Sequence, residues 1–383
     1  MNNGNLNIAI LLDLRKAFDV VDHDILCKKL VIYGCSAKSV TFFQSYLCDR
    51  TQQVQIGNMK SDKLSVKFGV PQGSILGPLL FILYINDLPL HIKNCKTDLY
   101  ADDSTIHMAG RDIIEIQPKI QQDLYEIEKW CENNNMFVNT NKTKCMVIGT
   151  RQKMSMQSTD PLFSINSQTL QISNCEKLLG VKIDSYLSWL HQVNQVCSKI
   201  ASRIYLLSKI KKYLNLESRK LFYSGYILPL IDYCIIIWGS CSTECLNRIV
   251  KLQKRAARLI LDTDFLAPSA PLFEKLGWMT VYNRITYHKC VLIFKCLNDE
   301  APSYLIEKTN YISQSNHYQL RSAVSGDLCV PKSKTELFKK SFCFSGPSTW
   351  NSLPVSVRNS KSIVVFKNKL KSYLLHKQIV SAE

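Results

Sequence analysis

Between Leu99 and His107 the chain reads Leu-Tyr-Ala-Asp-Asp-Ser-Thr-Ile-His, and this stretch restricts the fold more than any other. Two β-prone segments, Asp98 to Tyr100 and Ser104 to His107, flank two adjacent acids, so Asp102 and Asp103 are expected at the tip of a tight hairpin. Neighbouring carboxylates repel. Joined by a third at one end of a sheet, they need a cation among them to stay ionised at ordinary pH. A hard divalent ion with oxygen ligands, Mg²⁺ above all, meets that need, and two such ions about 4 Å apart are a device for in-line phosphoryl transfer. Asp-Asp is also an ordinary polar turn, so the rest of the sequence has to decide.

A third acid is available. Ile8-Ala9-Ile10-Leu11-Leu12 is a continuous apolar run closing on Asp13, which reads as a strand buried on both faces with a carboxylate at its carboxyl end. Val20 to Leu30 follows with helical period, and Asp22, His23 and Asp24 at its start read as capping and dipole partners rather than ligands. Residues 36–49 carry a second amphipathic helix with Val40, Phe43, Tyr46 and Leu47 on one face, and Gln52 to Gly57 alternates as a strand turning at Gly57-Asn58, placed with the acids. Gly69-Val-Pro-Gln-Gly-Ser-Ile-Leu-Gly-Pro78 then has three glycines at spacing four, leading into a helix over Leu79 to Asp87. Such glycines let backbone approach a ligand closely, but without Gly-Lys-Ser/Thr this is not a Walker loop.

Composition narrows the class. The chain has 383 residues, 46% of them hydrophobic, which suits two or three folded domains. Lys plus Arg exceed Asp plus Glu by 48 to 31, a net charge of +17 that suits a polyanionic partner. The longest apolar stretch, Ile75 to Ile85, is too short to span a bilayer and contains Gly77-Pro78, so no membrane role is expected. No secretory signal is visible, and the 15 scattered cysteines lack CxxC pairs, so a non-secreted, intracellular protein without disulfides or structural zinc is expected, in nucleus or cytoplasm.

Taken in order and spacing, Leu12-Asp13-Leu14-x-Lys16-Ala17-Phe18-Asp19, the Gly69–Pro78 segment and Tyr100-Ala-Asp-Asp103 resemble the reverse transcriptase of non-LTR, LINE-like retrotransposons. Asn139-x-x-Lys142-Thr143-Lys144 is similar to that family's fourth palm motif, and Leu178-Leu179-Gly180-Val181 to its primer-grip hairpin. Asp232-Tyr233-Cys234 and Trp238-Gly239 extend the likeness more softly. The resemblance implies an α+β fold: a right-hand polymerase palm, with an antiparallel sheet packed on helices, then a helical thumb and a mixed, mostly helical C-terminal region. It divides the chain into a palm over 1–150, a linker and primer-grip hairpin over 151–195, a thumb over 196–262 and a region without assigned role over 263–383.

It also implies roles. Asp13 and Asp102 would bridge two Mg²⁺ ions, or Mn²⁺ in their place, with Asp103 nearby and the Leu14 carbonyl adding an oxygen. Phe18, five residues beyond Asp13, would sit under the sugar and favour deoxynucleotides. Gln72 and Gly73 would flank the templating pair, Lys16 would belong to the nucleotide site, and Lys142 or Lys144 would protonate pyrophosphate. Arg15 stands where a small residue is usual and would either help the triphosphate or crowd it. Leu179 and Gly180 would press on the primer end. The partners are an RNA template, a DNA primer and dNTPs. Met1 lies only twelve residues before Asp13, so the fingers and an endonuclease are expected to be missing and the chain to be a truncated reading frame with weak activity in isolation, the alternative being a catalytically inactive nucleic-acid-binding remnant.

Further on, Gln152 to Asp160 reads as a polar linker. At about 100° per residue Arg248, Lys251, Lys254, Arg255 and Arg258 share one side of a helix and Ile249, Leu252, Ala256 and Leu259 the other, a stripe suited to a nucleic-acid backbone. Val281 to Leu297 and Ile363 to Leu375 read as helices, Gln314 to Ser333 as loop, and Ser345 to Pro354 as turn-rich.

Overall fold

The computed structural model describes residues 4–157, 159–312 and 326–380. The chain is α+β and forms two compact units, Gly4–Leu179 and Gly180–Glu383.

The first unit is organised by a five-stranded sheet of β1 (Leu6–Asp13), β2 (Lys96–Tyr100), β3 (Asp103–Gly110), β4 (Lys144–Ile148) and β5 (Gln171–Ile172), in the order β5-β4-β1-β3-β2. The pairings are antiparallel except β5 on β4. An antiparallel sheet can leave one face open, and the central strand shows this in part. Leu6, Ile8, Ile10 and Leu12 are buried among helix residues, whereas Asn7, Leu11 and Asp13 on the opposite face are only half-buried. The expectation of a strand buried on both faces therefore holds only in part: Ala9 is buried on the second face as well, with Met146 and Thr105 beside it, while Leu11 and Asp13 toward the carboxyl end are half-buried.

Four helices supply the covered side: α1 (His23–Ile32), α2 (Ala37–Leu47), α3 (Leu76–Ile85) and α4 (Ile113–Asn133). Asp22 caps α1, accepting from the N–H groups of Asp24 and Ile25 at 3.0 Å each, as an acid before a helix should. Val40 and Leu47 of α2 are buried, with Phe43 and Tyr46 packed beside them. The helix α4 was not foreseen. Its N-cap Asp112 accepts from Glu115 N at 2.7 Å, and Ile113, Ile116, Ile120, Leu124, Ile127 and Trp130 form its buried stripe. Pro118 inside the helix hides that periodicity by removing one donor, a loss the stripe outweighs.

Two further expectations change here. The alternating segment after Gln52 does turn at Gly57-Asn58, but its strands Gln55–Ile56 and Met59–Lys60 pair only with each other, fully exposed and outside the main sheet. The polar stretch Gln152–Asp160 is not a bare connector: Arg151–Ser155 is a helix capped by Thr150, and Phe163, Ile165 and Leu170 beyond it rejoin the first unit's core.

The second unit is mainly helical. Helices α5 (Leu190–Ile210) and α6 (Thr243–Leu261) pack with Tyr223, Ile227 and Trp238 in one core. A second core joins α7 (Val281–Leu297), α8 (Phe342–Asn351) and α9 (Ile363–Val380) through Phe294, Trp350 and Phe366. The turn-rich reading of Ser345–Pro354 is thus corrected to a helix through Asn351. Gly346 lets α8 approach α7 so closely that a Cβ there would lie 3.1 Å from Ile293 Cδ1, and this packing overrides the Gly-Pro signal. The loop expected over Gln314–Ser333 falls largely outside the described residues. Among the described residues no helix is long and apolar enough to cross a membrane, and no disulfide forms.

Candidate active site

Register places the acids. On β1 and β3, Leu11 faces Thr105, Leu12 faces Ser104 and Asp13 faces Asp103. Residues directly opposite share a face, and the period of two puts this pair on the side away from Leu6, Ile8, Ile10 and Leu12, at the strand end where that face is only partly buried. The β2–β3 hairpin turns through Ala101, at φ 52°, and Asp102, so both acids stand at the tip that the sequence indicated. Asp13 is half-buried; Asp102 and Asp103 are exposed.

The Asp103 carboxylate senses the other two. Partial burial, then Asp102, then Asp13, raise the Asp103 carboxyl above its ordinary value. Among the described residues no three His, Cys, Asp or Glu side chains close into a metal cage. Mg²⁺ does not require one, because it keeps several waters and takes one or two carboxylates together with substrate phosphate oxygens. Two facing carboxylates with a third beside them fit that donor set.

The backbone around Asp13 is clamped from the fourth motif. Asp13 N donates to Thr143 Oγ1 at 3.2 Å, Asn139 N donates to the Asp13 carbonyl at 2.7 Å, and Arg15 N donates to Phe137 O at 2.7 Å, with Leu14 bridged to Val138. Thr143 is fully buried and was not singled out from the sequence, although it stood between the two lysines that were. Lys144 pairs with Leu11 across β4 and donates to Asn141 O at 2.7 Å and to Gln171 Oε1, whereas Lys142 is exposed.

The glycine-rich segment holds the chain that follows Asp13. Gly69 N donates to Val21 O at 2.7 Å and Val70 N to Phe18 O at 2.9 Å. At φ 86° a Cβ on Gly69 would lie 2.8 Å from Asp19 O, so only glycine fits. Gln72 Nε2 donates to Asp19 Oδ1 at 2.9 Å. Phe18 stacks on Phe81 with centroids 4.4 Å apart, which fixes its ring against the core. Arg15, Lys16 and Gly73 are exposed.

Two buried polar nodes, neither foreseen, brace this frame. Asp123 of α4 accepts from the N–H groups of Lys93, Asn94 and Cys95 at 3.2, 3.0 and 2.7 Å, anchoring the chain as it enters β2. Lys29 Nζ donates to Tyr84 O and Asp87 Oδ1, both at 2.7 Å, and Trp130 Nε1 donates to the same carboxylate at 3.1 Å. Burial lowers the Lys29 ammonium pKa against the pull of Asp87. A lone acid within an apolar stripe, as at Asp123, was the one available signal.

In the second unit Gly180, at φ 85°, has the Tyr233 ring 3.3 Å from where a Cβ would lie. Trp238 Nε1 donates to Tyr233 O at 2.7 Å. Asp232 pairs with Arg284 through both oxygens and has His288 Nε2 at 3.3 Å, a longer ionic contact. Burial works to raise the Asp232 carboxyl, but His288 and Arg284 outweigh it and hold it below the usual range. The Asp-Tyr-Cys and Trp-Gly patterns are thus a brace for Tyr233. Leu179, partly exposed, and Gly180 stand where the chain passes from one unit to the other. On α6, Arg248, Lys251 and Arg255 are exposed and Lys254 and Arg258 half-buried. The packed side is Cys245, Leu246, Ile249, Gln253, Ala256, Ala257 and Ile260, with Leu252 and Leu259 only half-buried at its margin.

Residues 1–197 match the family described as reverse transcriptase (RNA-dependent DNA polymerase). Among curated relatives, the chain is 30% identical over 292 residues to the probable RNA-directed DNA polymerase from transposon BS of Drosophila melanogaster, covering 73% of this chain and 32% of the relative. It is 29% identical over 289 residues to the corresponding protein of transposon X-element, covering 73% and 31%. To the RNA-directed DNA polymerase from mobile element jockey it is 26% identical over 272 residues, covering 68% and 29%. The chain therefore spans about a third of the length of these relatives. With Asp13 and Asp103 paired in one sheet and the family match running over half the chain, the chain belongs to the reverse transcriptase family, among the non-LTR elements.

Proposed function

We propose that the chain is an RNA-directed DNA polymerase that extends a DNA primer on an RNA template with dNTPs, the first unit acting as palm and the helical part of the second as thumb. The observation carrying this reading is Asp13 facing Asp103 in register at one end of the sheet, with Asp102 beside it in the turn. Asp13, Asp102, Asp103 and the Leu14 carbonyl would hold Mg²⁺ or Mn²⁺, which when bound lowers the cost of deprotonating the primer hydroxyl and neutralises triphosphate charge. The protein's own work is positional. Thr143 and Asn139 fix the Asp13 backbone, Asp123 aims the hairpin, and the Gln72–Asp19 bond stiffens the template side. Phe18, held by Phe81, would lie under the sugar and exclude a 2′-hydroxyl. Arg15, Lys16 and Gly73 would line the nucleotide path, Lys142 or Lys144 would serve the leaving pyrophosphate, Leu179 and Gly180 the primer end, and the α6 cations the nucleic-acid backbone.

Primer extension on an RNA template tests the reading. Asp102→Asn is expected to lower the rate about 100-fold or more, while Asp22→Asn, at a residue that caps α1 and accepts from Asn135 Nδ2 at 3.0 Å but meets none of the three acids, leaves the chemistry in place. Equal rates for Asp102→Asn and the parent would overturn it.

A further inference from the structure

The charge of +17 is not spread evenly. Residues 180–383 contain 29 Lys and Arg against 13 Asp and Glu, and residues 1–179 contain 19 against 18. Part of the excess lines a groove of about 810 Å³ between α5 and α6. One wall is Arg248, Lys251, Lys254, Arg255 and Arg258; the other is Asn194, Ser198 and Ala201, and no carboxylate faces in. Phe265 closes one end, 75% exposed, with the Arg258 guanidinium 5.9 Å from its ring centre. Arg248 Nη1 donates to Asn194 Oδ1 at 2.7 Å and Arg258 Nε to Ala267 O at 2.9 Å, so both are held in place with other donors to spare.

We propose that this groove binds a single strand of nucleic acid, its phosphates along the α6 stripe and a base against Phe265. It deepens the polymerase reading by naming a second nucleic-acid site, and it relies on that reading only for the class of partner. Two packed helices have axes about 8–10 Å apart, so the furrow between them has the width of one strand, with a single row of phosphates, rather than of two paired strands. From Arg248 to Arg258 the helix rises about 15 Å, a length matching a few nucleotides. Between the walls the lining is apolar, Leu252 and Cys197 with the stems of the basic side chains, which suits bases beneath a row of phosphates. An aromatic face beside cations is the usual platform for unpaired bases, whereas an acidic peptide offers no ring of its own to Phe265.

The test is fluorescence anisotropy on the full chain with a labelled ten-nucleotide RNA, its DNA counterpart, the matching duplex and a polyglutamate peptide. Both single strands are expected to bind more tightly than duplex or peptide. Phe265→Ala should weaken single-strand binding about ten-fold while leaving its salt dependence and duplex binding unchanged. Lys251→Gln with Arg255→Gln should lower the salt slope by about 1.4, two phosphate contacts' worth. No effect of Phe265→Ala, or equal and equally sensitive binding of duplex or polyglutamate, would overturn the proposal. Primer extension run alongside keeps the two readings apart. Extension without Phe265-dependent binding removes the groove alone, and Phe265-dependent binding without extension removes the polymerase reading alone.

Discussion

A carboxylate held across a ladder from another carboxylate gains nothing for the fold. Asp103 carries that cost, and its pKa lies above 3.8 because of partial burial, Asp102 and Asp13, in that order. A raised folded-state pKa means that the folded chain holds the proton more tightly than the unfolded one. Its contribution therefore falls as pH rises from about 3.8 through the raised value, and returns on acidification. Asp103→Asn is expected to raise the melting temperature in EDTA at neutral pH by roughly one to a few degrees, and to flatten this part of the pH profile. A lower melting temperature would show that Asp103 is favourably partnered. At this scale the two tip acids were legible in the sequence, because a hairpin tip is a local feature. The role of Thr143 was not: it falls within the Asn139–Lys144 motif, but it acts on Asp13 across 130 residues of chain, which no local pattern shows.

Elements were legible where their periodicity was local and uninterrupted. Val281–Leu297 falls where its pattern predicts, and Asp22 caps α1 as an acid in that position should. The misses share one cause, tertiary packing overriding local signals. Pro118 breaks the pattern of α4, and Gly346-Pro347 mimics a turn in α8. The Lys29–Asp87–Trp130 node joins α1, α4 and the end of α3, and it belongs to this scale. Asp87→Asn leaves a buried ammonium without its counter-charge, beside only neutral acceptors and the Tyr84 and Trp130 rings, and is expected to destabilise the chain by about 3–5 kcal/mol in urea unfolding. Adding Lys29→Met should recover most of that loss; a double variant no better than Asp87→Asn would mean that the node's value lies in packing.

For the whole molecule, family and α+β class could be read from three motifs in order, while the division at Leu179 and Gly180 could not, because a polar stretch near Gln152 looked like the better break. The segment after it returns to the first core through Phe163, Ile165 and Leu170, contacts without sequence periodicity. What the first unit builds is a frame that brings three acids together at one end of its sheet, the arrangement we propose as the seat of a divalent cation. The direct measurement is Mn²⁺ binding, followed by electron paramagnetic resonance in the presence of a dNTP. The parent chain and Asp22→Asn should show the same saturable binding, with Asp13→Asn and Asp102→Asn each weakening it at least ten-fold. Binding that is absent from the parent, or unchanged in Asp13→Asn and Asp102→Asn, would contradict the account.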